Sequence, residues 1–168
     1  MKQVILGIII IAILVFGLSR IKMPEPKEMI YPEVSGYVVD EAGVLDEATI
    51  TTVSATMKEF DEEKNLGQMA VLIVKSTQPL TIEEYSIGLA DKWKVGYADE
   101  DNGIIFIIAT EDRKVRIEVG TGLEPIINDA KAGRLLDEYA VPYLKNNDWN
   151  TAVISIVNIL RDTVEGGE

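Results

Sequence analysis

The sequence predicts an α/β fold: a three-layer α/β/α sandwich around a small mixed sheet, preceded by a single N-terminal membrane helix. Three observations carry this. Residues 69–74 and 104–109 are continuous apolar runs, with the length and composition of strands buried on both faces. Segments with apolar residues at helical spacing alternate with them, the order that lays helices against a sheet. Residues 4–18 contain no charged side chain and are apolar on every side, unlike a helix that packs one face on a soluble core.

Taken in order, residues 4–18 would span about 23 Å as a helix, short of a hydrocarbon core of about 30 Å. Extension to Met23 reaches that length if Arg20 and Lys22 stretch to the headgroups. Residues 1–23 are therefore expected to be a transmembrane anchor or uncleaved signal. A cleaved signal peptide, cut near Gly17 and Ser19, is the rival reading. Basic residues flank both ends, so charge alone leaves the orientation open. Residues 24–34 hold Pro24, Pro26 and Pro32 and read as an extended linker. The folded domain is expected over 35–164, with 165–168 a frayed tail.

Residues 36–40 read as a short strand ending at Asp40. Asp46 is a helix N-cap, with Leu45 placed to pack on Ile50. Ile50, Val53, Met57 and Phe60 share one face of that helix, which Asn65 or Gly67 ends. The acidic run 61–63 reads as a solvated face. After strand 69–74, Thr81 and Glu84 form a capping box for a helix burying Ile82, Tyr85, Leu89 and Trp93. An acidic loop, 99–103, leads into strand 104–109. Beyond a polar turn, Lys114 to Val119 alternates: Val115, Ile117 and Val119 on one face, Lys114, Arg116 and Glu118 on the other. That pattern marks a half-exposed antiparallel partner of the central strand. Asp129 can cap a helix carrying Ala132, Leu135, Leu136 and Tyr139, which Pro142 kinks or ends. Asp148 caps the last helix, whose Ala152, Val153, Ile156, Val157, Leu160 and Val164 form an apolar stripe.

Charge and two missing residue types narrow the chemistry. The net charge is −12, yet residues 1–30 carry four cations against two carboxylates, leaving −14 for the remainder. So acidic a domain is repelled by nucleic-acid phosphates, and no nucleic acid is expected as a partner. There is no Cys, which removes thiol nucleophiles and thiolate metal sites. There is no His, which removes the usual general base and imidazole ligation. Any metal site must be built from oxygens, which favours Ca²⁺ or Mg²⁺.

Several motifs recur in an order that resembles the TPM domain family. They are residues 37–40 with 42–45, Trp93 with Val95 and Gly96, Asp101-Asn102-Gly103, residues 113–124, Asn128-Asp129-Ala130, and Ala132-Gly133-Arg134. The likeness covers roughly residues 36–160. It implies an exported or membrane-tethered domain on the extracytoplasmic side. Family members are described variously as acid phosphatases, as binders of divalent cations such as calcium, and as repair or accessory factors of membrane complexes.

Asp40, Asp101 and Asp129 fall on family motif positions at the ends of elements. If the first and central strands run antiparallel, Asp40 and Asp101 emerge at one edge of the sheet, where Asp129 can join them. Clustered carboxylates repel unless a cation or proton sits among them. A site for Ca²⁺ or Mg²⁺ follows, from Asp40, Asp101 and Asp129 with Asn102 and Glu124. The competing reading is structural: Asp129 as an N-cap, Asp101-Asn102-Gly103 as a turn, and Asp40 paired with Arg116 or Arg134. For catalysis, Asp101 or Asp129, or a metal-activated water, could attack phosphorus while Arg116 or Arg134 holds the phosphoryl oxygens. Two functions are expected from this inventory. One is a membrane-anchored, divalent-cation-binding accessory module for a membrane-protein partner. The alternative is a metal-dependent acid phosphatase acting on phosphomonoesters.

Overall fold

The computed structural model of the chain describes residues 29–167. The anchor expected over 1–23 and the first residues of the linker lie outside them. Among the described residues, no helix is long and apolar enough to cross a membrane.

The fold is α/β, built on a mixed four-stranded sheet in the order β1-β2-β3-β4. The strands are β1 (Val38–Asp40), β2 (Gln68–Val74), β3 (Gly103–Ala109) and β4 (Lys114–Val119). Both apolar runs became the central pair, β2 and β3, every residue of β3 being buried. β4 is antiparallel to β3, with Ile104 opposite Val119 and Ala109 opposite Lys114. β1 is parallel to β2, and β2 to β3. The first and central strands therefore run in the same direction, not antiparallel. Asp40 leaves the sheet at the C-terminal end of β1, whereas Asp101 precedes the N-terminal end of β3. The physical reason lies in the connection. A helix between β1 and β2 carries the chain back across the sheet, and that crossover makes successive strands parallel.

Side chains alternate between the two faces of the sheet. Val71, Ile73, Phe106, Ile108 and Ile117 face a core closed by three helices: α1 (Glu47–Lys58), α3 (Asp129–Tyr139) and α5 (Trp149–Gly166). All six stripe residues of α5 are buried. Truncating a side chain such as Leu160 to Ala would cost about 2–5 kcal/mol. The other face, with Leu72, Ile105 and Ile107, lies outside that cluster; α2 (Ile82–Trp93) contributes buried Ile82, Tyr85, Leu89 and Trp93. Its capping box between Thr81 and Glu84 is present. Asp46 and Asp148 cap α1 and α5 as the sequence suggests. At α3 the cap is Asn128, whose side chain accepts the Lys131 N–H, and Asp129 is the first helical residue. Pro142 opens a short helix, α4 (Val141–Leu144).

The α1 helix continues through a π-helical turn, Glu59–Glu63, and reaches its expected stop just before Asn65. Two other boundaries differ from the sequence reading. The final helix runs on to Gly166, anchored by Glu165, which pairs with Lys64 at 2.7 Å. The compact unit begins at Tyr31 rather than at residue 35. Tyr31 packs edge-on against Tyr85 at 5.0 Å, and the Trp93 indole N–H donates to the Pro32 carbonyl at 2.8 Å.

Candidate functional site

The N-terminal ends of β2 and β3 meet the C-terminal end of β4 at one edge of the sheet, because β4 is antiparallel. Two loops are pressed together there. Gly120 N–H donates to the Gly103 carbonyl and Gly122 N–H to the Asp101 carbonyl, at 2.8 and 3.0 Å. A Cβ on Gly120 would lie 2.1 Å from the Asp101 carbonyl oxygen, and one on Gly122 1.9 Å from that of Glu100. Only glycine permits so close an approach of backbone to backbone.

Side chains lock this junction. One oxygen of Asp101 accepts both the Thr121 hydroxyl and the Thr121 N–H. These bonds favour the ionised form and hold the carboxyl below its ordinary value, the hydroxyl contributing most. Asn102 is buried, and its amide is fully engaged. Its oxygen accepts the Tyr97 N–H at 2.9 Å, and its nitrogen donates to Glu100 at 2.7 Å. Behind it sits Asp61, carried by the π-helical turn. Its carboxylate accepts from the hydroxyls of Tyr37 and Tyr97 and from the Gln68 amide. Gln68 in turn accepts the Gly96 N–H at 3.0 Å.

Beside this edge lies a cleft of about 500 Å³, lined by residues of α2, the 94–103 loop, β4 and the 120–124 loop. Asp91, Asp101 and Glu124 line it as exposed carboxylates against a single cation, Lys94. Ile87, 55% exposed, adds an apolar wall. Glu118 also reaches it, but Arg116 binds that carboxylate at 2.8 Å.

Of the five residues expected to hold a metal, the structure brings Asp101 and Glu124 to this cleft. Asn102 is buried behind it, with its amide used internally. Asp40 is at the opposite end of the sheet, where its two oxygens accept the N–H groups of Gly43, Val44 and Leu45, each at 2.8 Å. It closes the 41–45 turn rather than pairing with an arginine. Asp129 heads α3 and does not line the cleft. The single rim of Asp40, Asp101 and Asp129 therefore does not form. Among the described residues, no three carboxylates are grouped closely enough to hold a metal ion. Of the residues expected to serve phosphate chemistry, Arg116 lies under α2, donating to Ser86 and Glu118 at 2.8 Å each. Sequence reasoning missed Asp61, Gln68, Tyr97 and Asp91. The one signal for Asp61 was its place at the C-terminal end of an amphipathic helix, after buried Phe60, where the chain turns back onto the sheet.

The family model of the TPM domain matches residues 38–163. The chain is 22% identical over 135 residues to a chloroplastic UPF0603 protein of Oryza sativa subsp. indica, covering 80% of this chain and 45% of that one. It is 25% identical over 139 residues to a chloroplastic UPF0603 protein of Arabidopsis thaliana, covering 80% and 47%. The chain thus spans about half the length of the curated relatives it matches. Among solved structures, it resembles the N-terminal domain of a protein from P. gingivalis, with TM-score 0.70, 23% identity and coverage of 78% and 83%. It also resembles the BA42 protein of Bizionia argentinensis, with TM-score 0.60, 14% identity and coverage of 73% and 82%. These two likenesses concern the fold.

Proposed function

The chain belongs to the TPM domain family, and from that membership we propose that it is a membrane-anchored, extracytoplasmic accessory module. In this reading residues 1–23 tether it, and its acid-lined cleft receives a cationic group of a membrane-protein partner. The observation that supports the reading is the cleft's lining: Asp91, Asp101 and Glu124 against Lys94, beside exposed Ile87. An apolar wall next to carboxylates suits a side chain with an apolar stem and a charged head, as arginine and lysine have. Hydrated Ca²⁺ or Mg²⁺ is the second guest the same charge attracts, and it would sit between module and partner carboxylates.

Calorimetric titration of the full chain in neutral detergent tests this, with an arginine-rich amphipathic peptide and, separately, with Ca²⁺ and Mg²⁺. Binding heat for the peptide that disappears in the Asp91→Asn, Glu124→Gln double variant supports the reading. Flat peptide traces remove it, and flat metal traces remove the cation from it. Phosphate release from a generic phosphomonoester, abolished by Asp101→Ala, would instead favour the metal-dependent phosphatase, with Asp101 as nucleophile.

A further inference from the structure

A second cavity lies at the other end of the β3–β4 hairpin, and its charge is the reverse of the cleft's. It holds about 300 Å³ between the β3–β4 turn and the segment from α4 to α5. Arg113, Lys114 and Lys145 line it, with Asn147, and no carboxylate does. In a chain where Asp and Glu outnumber Lys and Arg by 28 to 16, this grouping runs against composition. Among the described residues, none of the three cations has a carboxylate within ion-pair distance. The nearest acid in sequence, Asp112, feels the Lys114 charge beyond ion-pair distance and accepts its hydrogen bonds from other groups. Its oxygens accept the Ser76 hydroxyl and the Thr77 N–H, each at 2.8 Å.

Two further features bear on a ligand. Arg113 occupies a turn position at φ +53°, a left-handed conformation that glycine or asparagine adopts with less strain. Its exposed guanidinium lies beside the cavity, and no carboxylate in the fold pairs with it. The apolar part of the lining includes Val141 and half-buried Trp149, a surface for a planar or alkyl group.

The geometry points to a binding site for a small organic phosphate monoester, with the dianionic phosphate among Arg113, Lys114 and Lys145 and the organic group on Trp149 and Val141. A dianion suits three cations better than a singly charged carboxylate does, and guanidinium matches phosphate oxygens in pairs. The volume is at the small end for ligand pockets, enough for a phosphate with a ring or short chain. No carboxylate lines the cavity to act as nucleophile or base, so the ligand is held there. The site is independent of the acid-lined cleft and does not rest on its function.

Phenyl phosphate titrated into the full chain in neutral detergent, followed by the two tryptophan indole N–H signals, is the test. Saturable movement of the Trp149 signal, with that of Trp93 fixed, is expected. Arg113→Gly, which relieves the left-handed backbone, and Lys145→Gln should each weaken binding about tenfold, the scale of a charge-assisted hydrogen bond. Their unchanged near-ultraviolet circular dichroism shows that folding is kept. Dihexanoyl phosphatidic acid against dihexanoyl phosphatidylcholine distinguishes a lipid source from a free phosphate. Preference for phosphatidic acid over phenyl phosphate assigns the site to a headgroup. Absence of saturation with either phosphate, equal binding of phenol, or affinity unchanged in both variants would overturn the proposal.

Discussion

Thr121 donates twice to one oxygen of Asp101, from its hydroxyl at 2.7 Å and from its backbone N–H at 2.9 Å. This pair ties the loop after β4 to the loop before β3 and so sets one wall of the cleft. Asp101 itself sits at φ +47°, a conformation asparagine tolerates and alanine does not.

Asp101→Asn should therefore destabilise the fold modestly, on the order of 1 kcal/mol or less given its exposure, and Asp101→Ala by more. The difference between wild type and Asp101→Asn should depend on pH. The folded carboxyl titrates below its ordinary value of 3.8. Its stabilisation is complete above that value and is lost as pH falls through the folded value beneath it. Urea melts of the two proteins should differ at neutral pH and converge in strong acid.

Gly122→Ala should be worse than either Asp101 change. The new Cβ would meet the Glu100 carbonyl oxygen at 1.9 Å, and that oxygen is backbone with little room to retreat. A loss of roughly 1–3 kcal/mol is expected from overpacking, read as a lowered urea midpoint with an unchanged slope.

The Asp61 cluster offers a spectroscopic test. Burial, followed by the Asp61 charge and hydrogen bond, pushes the Tyr37 phenol up to about 12. Tyr85 is also raised to about 12, by burial first and then by Glu41 and Tyr31. Asp61→Asn should lower the Tyr37 titration while leaving Tyr85 in place, as ultraviolet difference titration can follow. Because these phenols are raised in the folded state, their stabilisation is full below about 10, the unfolded value, and is lost as pH climbs through about 12.

Gly88 makes room for the Tyr31 phenol, whose oxygen would lie 1.9 Å from a Cβ at that position. Gly88→Ala should expel Tyr31 from α2. Alanine favours the helix by about 1 kcal/mol, which offsets an aromatic contact worth about 0.5–1.5 kcal/mol. The expected result is a small change in melting temperature with much faster proteolysis around residues 31–35.

Local pattern carried much of the fold. The alternation over Lys114–Val119, the stripe of α5 and the side-chain caps at Asp46, Thr81 and Asp148 were all legible, because each depends on residues a few positions apart. The α3 cap shifted by one position because Asn128 and Asp129 are both good caps and only the backbone decides between them. The direction of β1 was not legible from its own residues, since strand pattern is the same in parallel and antiparallel pairs. That single choice dissolved the shared rim of Asp40 and Asp101. Asp61 read as part of a solvated acidic run because its partner Tyr97 lies 36 positions away. Asp91 likewise gains its meaning only when α2 is laid beside the 120–124 loop.

The proposed function turns on a cationic group docking in the acid-lined cleft. Amide shift mapping of the full chain in neutral detergent, during titration with the arginine-rich peptide, addresses it directly. Changes should be confined to Ile87, residues 90–103 and residues 118–124, and be suppressed by high salt and by the Asp91→Asn, Glu124→Gln pair. Changes centred on another face, or none at saturating peptide, would contradict it.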